Sequence, residues 1–252
     1  MITIKNKTSI QKMTEAGQRL SQLFSELLSI VSVGVSTAEI DNWVEKRLNE
    51  LGLVSKMKGY MGYGHVSCIS VNDVVVHGIP SKLVILRDSD IVKVDICASW
   101  KGYCADMARI FFIGAVSERA KKLAAVAQSA LDKAIEKACP GNRLTDISAA
   151  VQQEVERHGY GVVRDFAGHG IGKQMHEDPE ILNYGKPGSG PILRAGMTFA
   201  IEPMITEGDY KVYVAHDGWT VKTVDKSNAV HVEDTVLITE HGPKVLTRSF
   251  GK

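Results

Sequence analysis

Two stretches of the chain read as apolar strands, yet each carries one aspartate where the pattern wants an apolar residue: Asp95 in "DIVKVDICA" and Asp106 in "YCADMARIFFIG". A hairpin turn at Trp100-Lys101 would set Asp95 opposite Asp106 and Cys97 opposite Cys104, with the carboxylate Cβ atoms about 4.5–5.5 Å apart. Like charges so placed repel, and burial raises the cost. Two arrangements sustain such a pair: a shared proton with one strongly raised pKa, or a cation between the carboxylates. A register shifted by one residue would instead turn one aspartate to water. The second half adds Glu202 inside "GMTFAIEPMIT", Glu233 at the head of "HVEDTVLIT", and His169 in "FAGHGIG", whose glycines let backbone approach a ligand closely. Two Asp, two Glu and one His form an oxygen-rich donor set that suits Mn, Fe, Co or Mg better than a thiolate zinc site. Five donors, several able to bridge, match a centre of two metal ions ~3.5–4 Å apart, as used in hydrolytic enzymes.

The elements that must position these residues follow from periodicity. Ile10, Met13, Gly17, Leu20, Phe24, Leu27, Leu28 and Val31 recur at helical spacing. Ser36 and Glu39 form a capping box for a second helix with Ile40, Val44, Leu48 and Leu51 on one face. A third helix begins near Ser117 and runs to Pro140-Gly141, and a fourth spans about Thr145 to His158. "VSCISVN" and "WTVKTVD" complete the strand-like runs, and 183–196 is a Gly/Pro-rich loop. Strands that follow one another as hairpins and meanders predict an α+β fold with an antiparallel sheet. A helix pair followed by acidic strands occurs twice, which points to pseudo-twofold architecture.

Composition narrows the class. The 252 residues are 44% hydrophobic and 23% charged, an ordinary globular balance. Lys plus Arg total 30 against 29 Asp plus Glu, so bulk charge points to neither nucleic acid nor membrane. No long linker divides the chain, which predicts one catalytic domain over 1–252. Cys68, Cys97, Cys104 and Cys139 make no CxxC pair. Absence of a signal-peptide core and of any run of ~18 apolar residues gives the expectation of a cytoplasmic protein with reduced thiols. No helix shows a spare apolar stripe, so a monomer is expected.

With these motifs in order, the chain resembles the type I methionine aminopeptidases, metallopeptidases of the pita-bread (creatinase/aminopeptidase) fold. The resemblance rests on "VNDVVVHGIP" (71–80), "DIVKVDICASWKGYCADMARIF" (90–111), "AGHGIGKQMHEDP" (167–179), "GMTFAIEPM" (196–204), "DGWTVKT" (217–223) and "VEDTVLIT" (232–239), and runs from about Ile4 to the C-terminus. It implies a curved antiparallel sheet with helices on its outer face. The short form is expected, without the N-terminal zinc-binding extension of some relatives or the helical insertion of type II enzymes.

The resemblance also implies roles. Asp95, Asp106, His169, Glu202 and Glu233 would hold two divalent ions (Co, Mn, Fe(II) or another), with Asp95 chelating one, Asp106 and Glu233 bridging, and His169 and Glu202 completing the other. Glu202 would be general base and then acid, His176 would stabilise the oxyanion, and His77 would hydrogen-bond the scissile nitrogen. Tyr60, Tyr63, Cys68, Phe166 and Trp219 would form the side-chain pocket. The implied substrate is the N-terminal methionine of nascent polypeptides with a small second residue, with docking near the ribosomal exit. An X-Pro aminopeptidase or prolidase of the same fold, and a metal-free binding protein, are the competing readings. Departures from the family pattern are Cys97 where relatives often carry threonine, Val33 in place of proline, and Val76 in place of cysteine. Cys97 and Cys104 pose the choice between small apolar filler and an oxidation-sensitive or metal-selective pair.

Overall fold

The structure is a computed structural model that describes residues 1–248. Its first half holds α1 (Lys7–Leu27), α2 (Thr37–Glu50), β1 (Val54–Ser55), a single 3-10 turn at Tyr60–Gly62, β2 (Cys68–Val71), β3 (Val74–Val76), β4 (Ile91–Trp100) and β5 (Tyr103–Phe112). The second half holds α3 (Glu118–Lys137), α4 (Leu144–Glu156), β6 (Gly161–Val162), β7 (Ala167–Gly170), β8 (Glu177–Leu182), β9 (Thr198–Ile201), β10 (Met204–Thr206), β11 (Val212–Val214), β12 (Val221–Thr223), β13 (Ala229–His231), β14 (Glu233–Thr239) and β15 (Gly242–Val245). The main sheet runs β1-β4-β5-β14-β9-β7-β8, with β2 on β4 and β15 on β14. Two smaller sheets, β13-β10-β6 and β11-β12-β3, flank it.

Each half buries one helix pair. Leu20, Phe24, Ile40 and Val44 pack on Val92, Val94, Ile96 and Phe111. Leu123, Leu131, Ile147 and Val151 pack on Phe199, Ile201, Val236 and Ile238. Along β4 these apolar residues alternate with Lys93, Asp95 and Cys97, so period-2 geometry sends the helices to one face and the carboxylates to the other. The α+β, antiparallel and pseudo-twofold expectations hold.

Local signals were accurate where the chemistry is local. The Ser36–Glu39 capping box forms, with Glu39 N donating to Ser36 Oγ at 3.3 Å and Ser36 N donating to Glu39 Oε2 at 2.8 Å. Ser117 caps α3 through Ala120 N. α1 ends at Leu27, one turn earlier than the periodicity suggested, and Leu28 is 70% exposed.

Two expectations need correction. Lys101 (φ +48°) and Gly102 (φ +79°) are the central turn residues, the pair of positive φ values that a two-residue I′ hairpin demands. Trp100 therefore pairs with Tyr103, and Asp95 lies opposite Ala108, Cys97 opposite Asp106, and Ser99 opposite Cys104. Asp95 does not face Asp106 directly and Cys97 does not face Cys104. The shift is two residues, so both aspartates stay on one face. The second correction concerns "GMTFAIEPMIT" and "HVEDTVLIT". Each is two short strands in different sheets, broken at Glu202-Pro203 and at Val232. Pro203 has no N–H for the ladder, which ends β9.

Gly17 sits where α1 meets the chain end: an added Cβ would lie 2.2 Å from the Leu246 carbonyl oxygen. Gly17→Ala should therefore lower stability by about 1–3 kcal/mol, although alanine favours an isolated helix by about 1 kcal/mol. Urea midpoints of the two proteins check this, and an unchanged or higher midpoint would contradict it.

Candidate metal centre

Two rows of side chains cross the helix-free face of the main sheet. In the first, Asp95, Ala108 and Glu233 are register partners on β4, β5 and β14, and Glu202 follows Ile201, the partner of Asp234. In the second, Cys97 pairs with Asp106, while Thr235, Ala200 and His169 pair across β14, β9 and β7. Thr235 joins the two parts of that row. Asp106 N donates to its Oγ1 at 2.8 Å, and its hydroxyl donates to Asp106 O at 2.9 Å. Small residues at 108, 200 and 235 leave space that larger side chains would fill.

All five expected donors line one cavity of about 630 Å³, within the usual size of a ligand site. Asp106, His169 and Glu233 each present a donor atom within 4.8 Å of the others. His169 Nε2 lies 3.9 Å from Asp106 Oδ2 and 3.5 Å from Glu202 Oε1. Asp95 lies close enough to Asp106 and Glu202 to feel both charges. His169 Nδ1 lies 3.0 Å from Gly170 O. That contact fixes Nδ1–H as donor and leaves the Nε2 lone pair for the cavity. Glu233 Oε1 is buried with no hydrogen-bond partner in the protein. Buried acceptors without donors, beside a neutral imidazole, form a donor set that a divalent cation satisfies.

Electrostatics agree. Burial, then the neighbouring Asp106 and Glu202, push the Asp95 carboxyl well above the usual range. Burial and Asp106 do the same to Glu202, and burial with Asp106, Glu202 and Asp95 to Glu233. Asp106 rises to about 6 through burial, opposed by a hydrogen bond from Cys97 and by His231. Burial drives His169 down to about 3, helped by His176, so its imidazole is neutral at pH 7.

The glycines around His169 are also required by strand packing, and Gly168 lines the cavity. A Cβ on Gly168 would lie 2.5 Å from Ala200 O, and one on Gly170 would lie 2.0 Å from Asp178 O. Behind Glu233 a charged clamp fixes the backbone. Arg109 donates to Glu233 O at 2.5 Å and Ala108 O at 2.9 Å, and with Arg248 it holds the fully buried Asp234 at 2.6 and 2.7 Å.

The expected pocket residues surround the same cavity. Tyr63 packs on Trp219 with ring centroids 4.9 Å apart, and its hydroxyl donates to Ser67 O at 2.9 Å. His77 sits edge-on to Phe166 at 5.5 Å and to Trp219 at 6.4 Å, in a left-handed backbone conformation with φ +58°. Burial lowers His77 to about 4. His176 lies 4.4 Å from the His169 ring, and its Nδ1 is 3.0 Å from the Tyr60 hydroxyl. Cys68, the register partner of Asp95, also lines the wall.

Sequence reasoning missed His231. It is buried, with Nε2 3.3 Å from Glu202 Oε2 but without the alignment of a hydrogen bond. The signal was its spacing two residues before Glu233. Cys97 and Cys104 are buried in one cluster with Met13, Met57, Cys68 and Met175. Burial pushes the Cys97 thiol well up, and Cys97 lines the cavity beside Asp106.

The model of metallopeptidase family M24 matches residues 11–240. A methionine aminopeptidase of Clostridium acetobutylicum is 48% identical over 98% of this chain and 99% of its own length. The crystal structure of a methionine aminopeptidase from Thermotoga maritima superposes with a TM-score of 0.97 at 43% identity, covering 99% of this chain and 100% of that one. A prolidase from Pyrococcus furiosus gives 0.80 at 25% identity, with 98% of this chain on 66% of that one. The shared architecture is the pita-bread fold.

Carboxyls raised by the fold bind protons more tightly folded than unfolded, so they withdraw stability as pH rises. His77, His169 and His231, held near 4, 3 and 4, act in the opposite sense and finish titrating near their unfolded value of about 6.5. Asp95, Glu202 and Glu233, raised well above the carboxylate range, pull this balance one way, and Lys93, whose amine burial lowers to about 7, pulls it the other. Metal coordination needs ionised carboxylates and a neutral imidazole, so it competes with protons. Mn(II) should therefore raise the thermal midpoint of chelator-treated protein, and raise it more at about pH 8 than at about pH 6. A midpoint that Mn(II) leaves unchanged, or raises more at the acid end, would contradict this account.

Proposed function

The chain belongs to metallopeptidase family M24, among the methionine aminopeptidases that match it end to end, and from that premise we propose that it removes the N-terminal methionine from peptides and nascent proteins whose second residue is small. The observation that carries this reading is the convergence of Asp95, Asp106, His169, Glu202 and Glu233 in one cavity walled by Tyr60, Tyr63, Cys68, Phe166 and Trp219. Four ionised carboxylates with a neutral imidazole balance the charge of two divalent ions. In this assignment Asp95, Asp106, His169, Glu202 and Glu233 would hold the ions. When bound, the ions supply an acidified water and a Lewis acid for the peptide carbonyl.

The chain's own groups do the rest. Glu202, which lines the cavity beside His169, takes the water's proton and returns it to the leaving amine. His176, oriented by the Tyr60 hydroxyl, donates to the developing oxyanion. His77, near-neutral among Phe166 and Trp219, hydrogen-bonds the scissile nitrogen. The aromatic and sulfur-lined wall, including Met57 and Met175, takes an unbranched thioether by dispersion contact. We take the chain to act as one catalytic domain and as a cytoplasmic monomer, on nascent chains near the ribosomal exit, with Mn, Co or Fe(II). Among the described residues no helix is long and apolar enough to cross a membrane.

Metal-stripped protein resupplied with Mn(II), Co(II) or Fe(II) should release methionine from Met-Ala-Ser and much less from Met-Leu-Ser. Glu202→Ala should lower kcat by about 10²–10⁴ and His176→Ala by about 10²–10³. Tight metal binding with no methionine release, but cleavage of X-Pro peptides, would replace this substrate assignment with the prolidase one.

A further inference from the structure

Lys93 is among the largest fully buried side chains, at 1% exposure. Lysine is almost never buried so completely unless it is paired. Its Nζ donates to a main-chain carbonyl, Asn72 O, at 3.0 Å, and Asp73 and Asp90 act on it through space. Nothing in the chemistry above uses it. It projects from β4 on the same face as Asp95 and Cys97, opposite Ser70 of β2.

Asn72 is a junction of three segments. Its backbone is left-handed, φ +51°. Its N–H donates to Ile91 O at 2.9 Å, its side-chain oxygen accepts from Ile91 N at 2.9 Å, and its amide donates to Asp90 Oδ1 at 2.7 Å. Its carbonyl accepts from Ala229 N at 3.0 Å as well as from Lys93. Asn72 and Asp73 form the turn between β2 and β3, and β3 leads straight into His77. The chain returns tightly past β2 after His77. Gly78 N donates to Ser70 Oγ at 3.1 Å, Ile69 N to Gly78 O at 2.8 Å, and a Cβ at Gly78 would lie 2.3 Å from Ile69 O. A non-glycine residue in the left-handed region, as His77 is, persists only where its surroundings over-determine it.

We propose that Lys93 is a positioning residue: its buried amino group holds the Asn72 carbonyl beside Ala229 and so fixes the β2–β3 turn that presents His77 to the scissile peptide. The proposal rests on the reading of His77 given above. Lys93→Met keeps the side chain's bulk and removes the donor. Asn72 O then keeps one of its two donors, and the turn gains freedom without any loss of metal donors.

The test is a double-mutant cycle in the Mn(II)-loaded protein, with Met-Ala-Ser turnover and calorimetric Mn(II) stoichiometry for Lys93→Met, His77→Ala and the double variant. Lys93→Met is expected to bind Mn(II) with unchanged stoichiometry and to lose about 10- to 100-fold in kcat, with KM little altered. In the His77→Ala background the same change should cost nothing further. Multiplicative losses in the double variant would overturn the proposal, as would wild-type kcat in Lys93→Met beside a slow His77→Ala. Wild-type kcat in His77→Ala would instead bring down the reading of His77, and this proposal with it. If Lys93→Met does not fold, Lys93→Gln, which keeps an N–H donor, goes through the same cycle, and losses that multiply with those of His77→Ala overturn the proposal there too.

Discussion

Four carboxyl groups crowd into one mostly buried cavity, and the rest of the molecule is organised to hold them there. Two such charges about 4 Å apart repel by about 4 kcal/mol at an effective dielectric near 20, and burial adds to that. Flexible loops would let them drift apart. Here they stand on, or one residue beyond, strands of one sheet, in two rows set by register. Arg109, Asp234 and Arg248 lock the backbone behind Glu233. Thr235 replaces ladder bonds with hydroxyl bonds beside Asp106. The helices take no part in the chemistry; they cover the opposite face and make the sheet rigid.

Much of this was legible in the sequence. An aspartate breaking an apolar strand is a local anomaly, and five such anomalies in one chain marked the site. The capping box at Ser36 and Glu39 needs only residues three apart. Legibility failed where the answer depended on a partner far along the chain or on one backbone angle. The I′ turn at Lys101-Gly102 moved the register by two, which kept the face and changed the neighbours. Pro203 divided a run that alternation alone reads as one strand. His231 and Lys93 looked ordinary because their meaning comes from Glu202 and Asn72, 29 and 21 positions away.

The site also separates two kinds of work. One wall of the cavity is acidic and the other is aromatic and sulfur-lined; in the function proposed above the first takes cations and the second an apolar side chain. His77 and His176 stand between them, both lowered by burial and so neutral near pH 7. Neutral imidazoles donate a hydrogen bond without adding positive charge next to bound ions.

Strand order gives this layout a dimension in time. The hairpin β4–β5 is made early in synthesis, but its neighbour in the sheet is β14, more than a hundred residues later, and β9 and β7 join beyond it. Each half alone carries two of the four carboxyls, a tolerable charge for a partly folded chain. The repulsive quartet is assembled only when β14 slides between the halves, which is the longest-range pairing in the sheet and so among the slowest to form. A growing chain therefore stays free of the crowded centre until nearly all of it has been made.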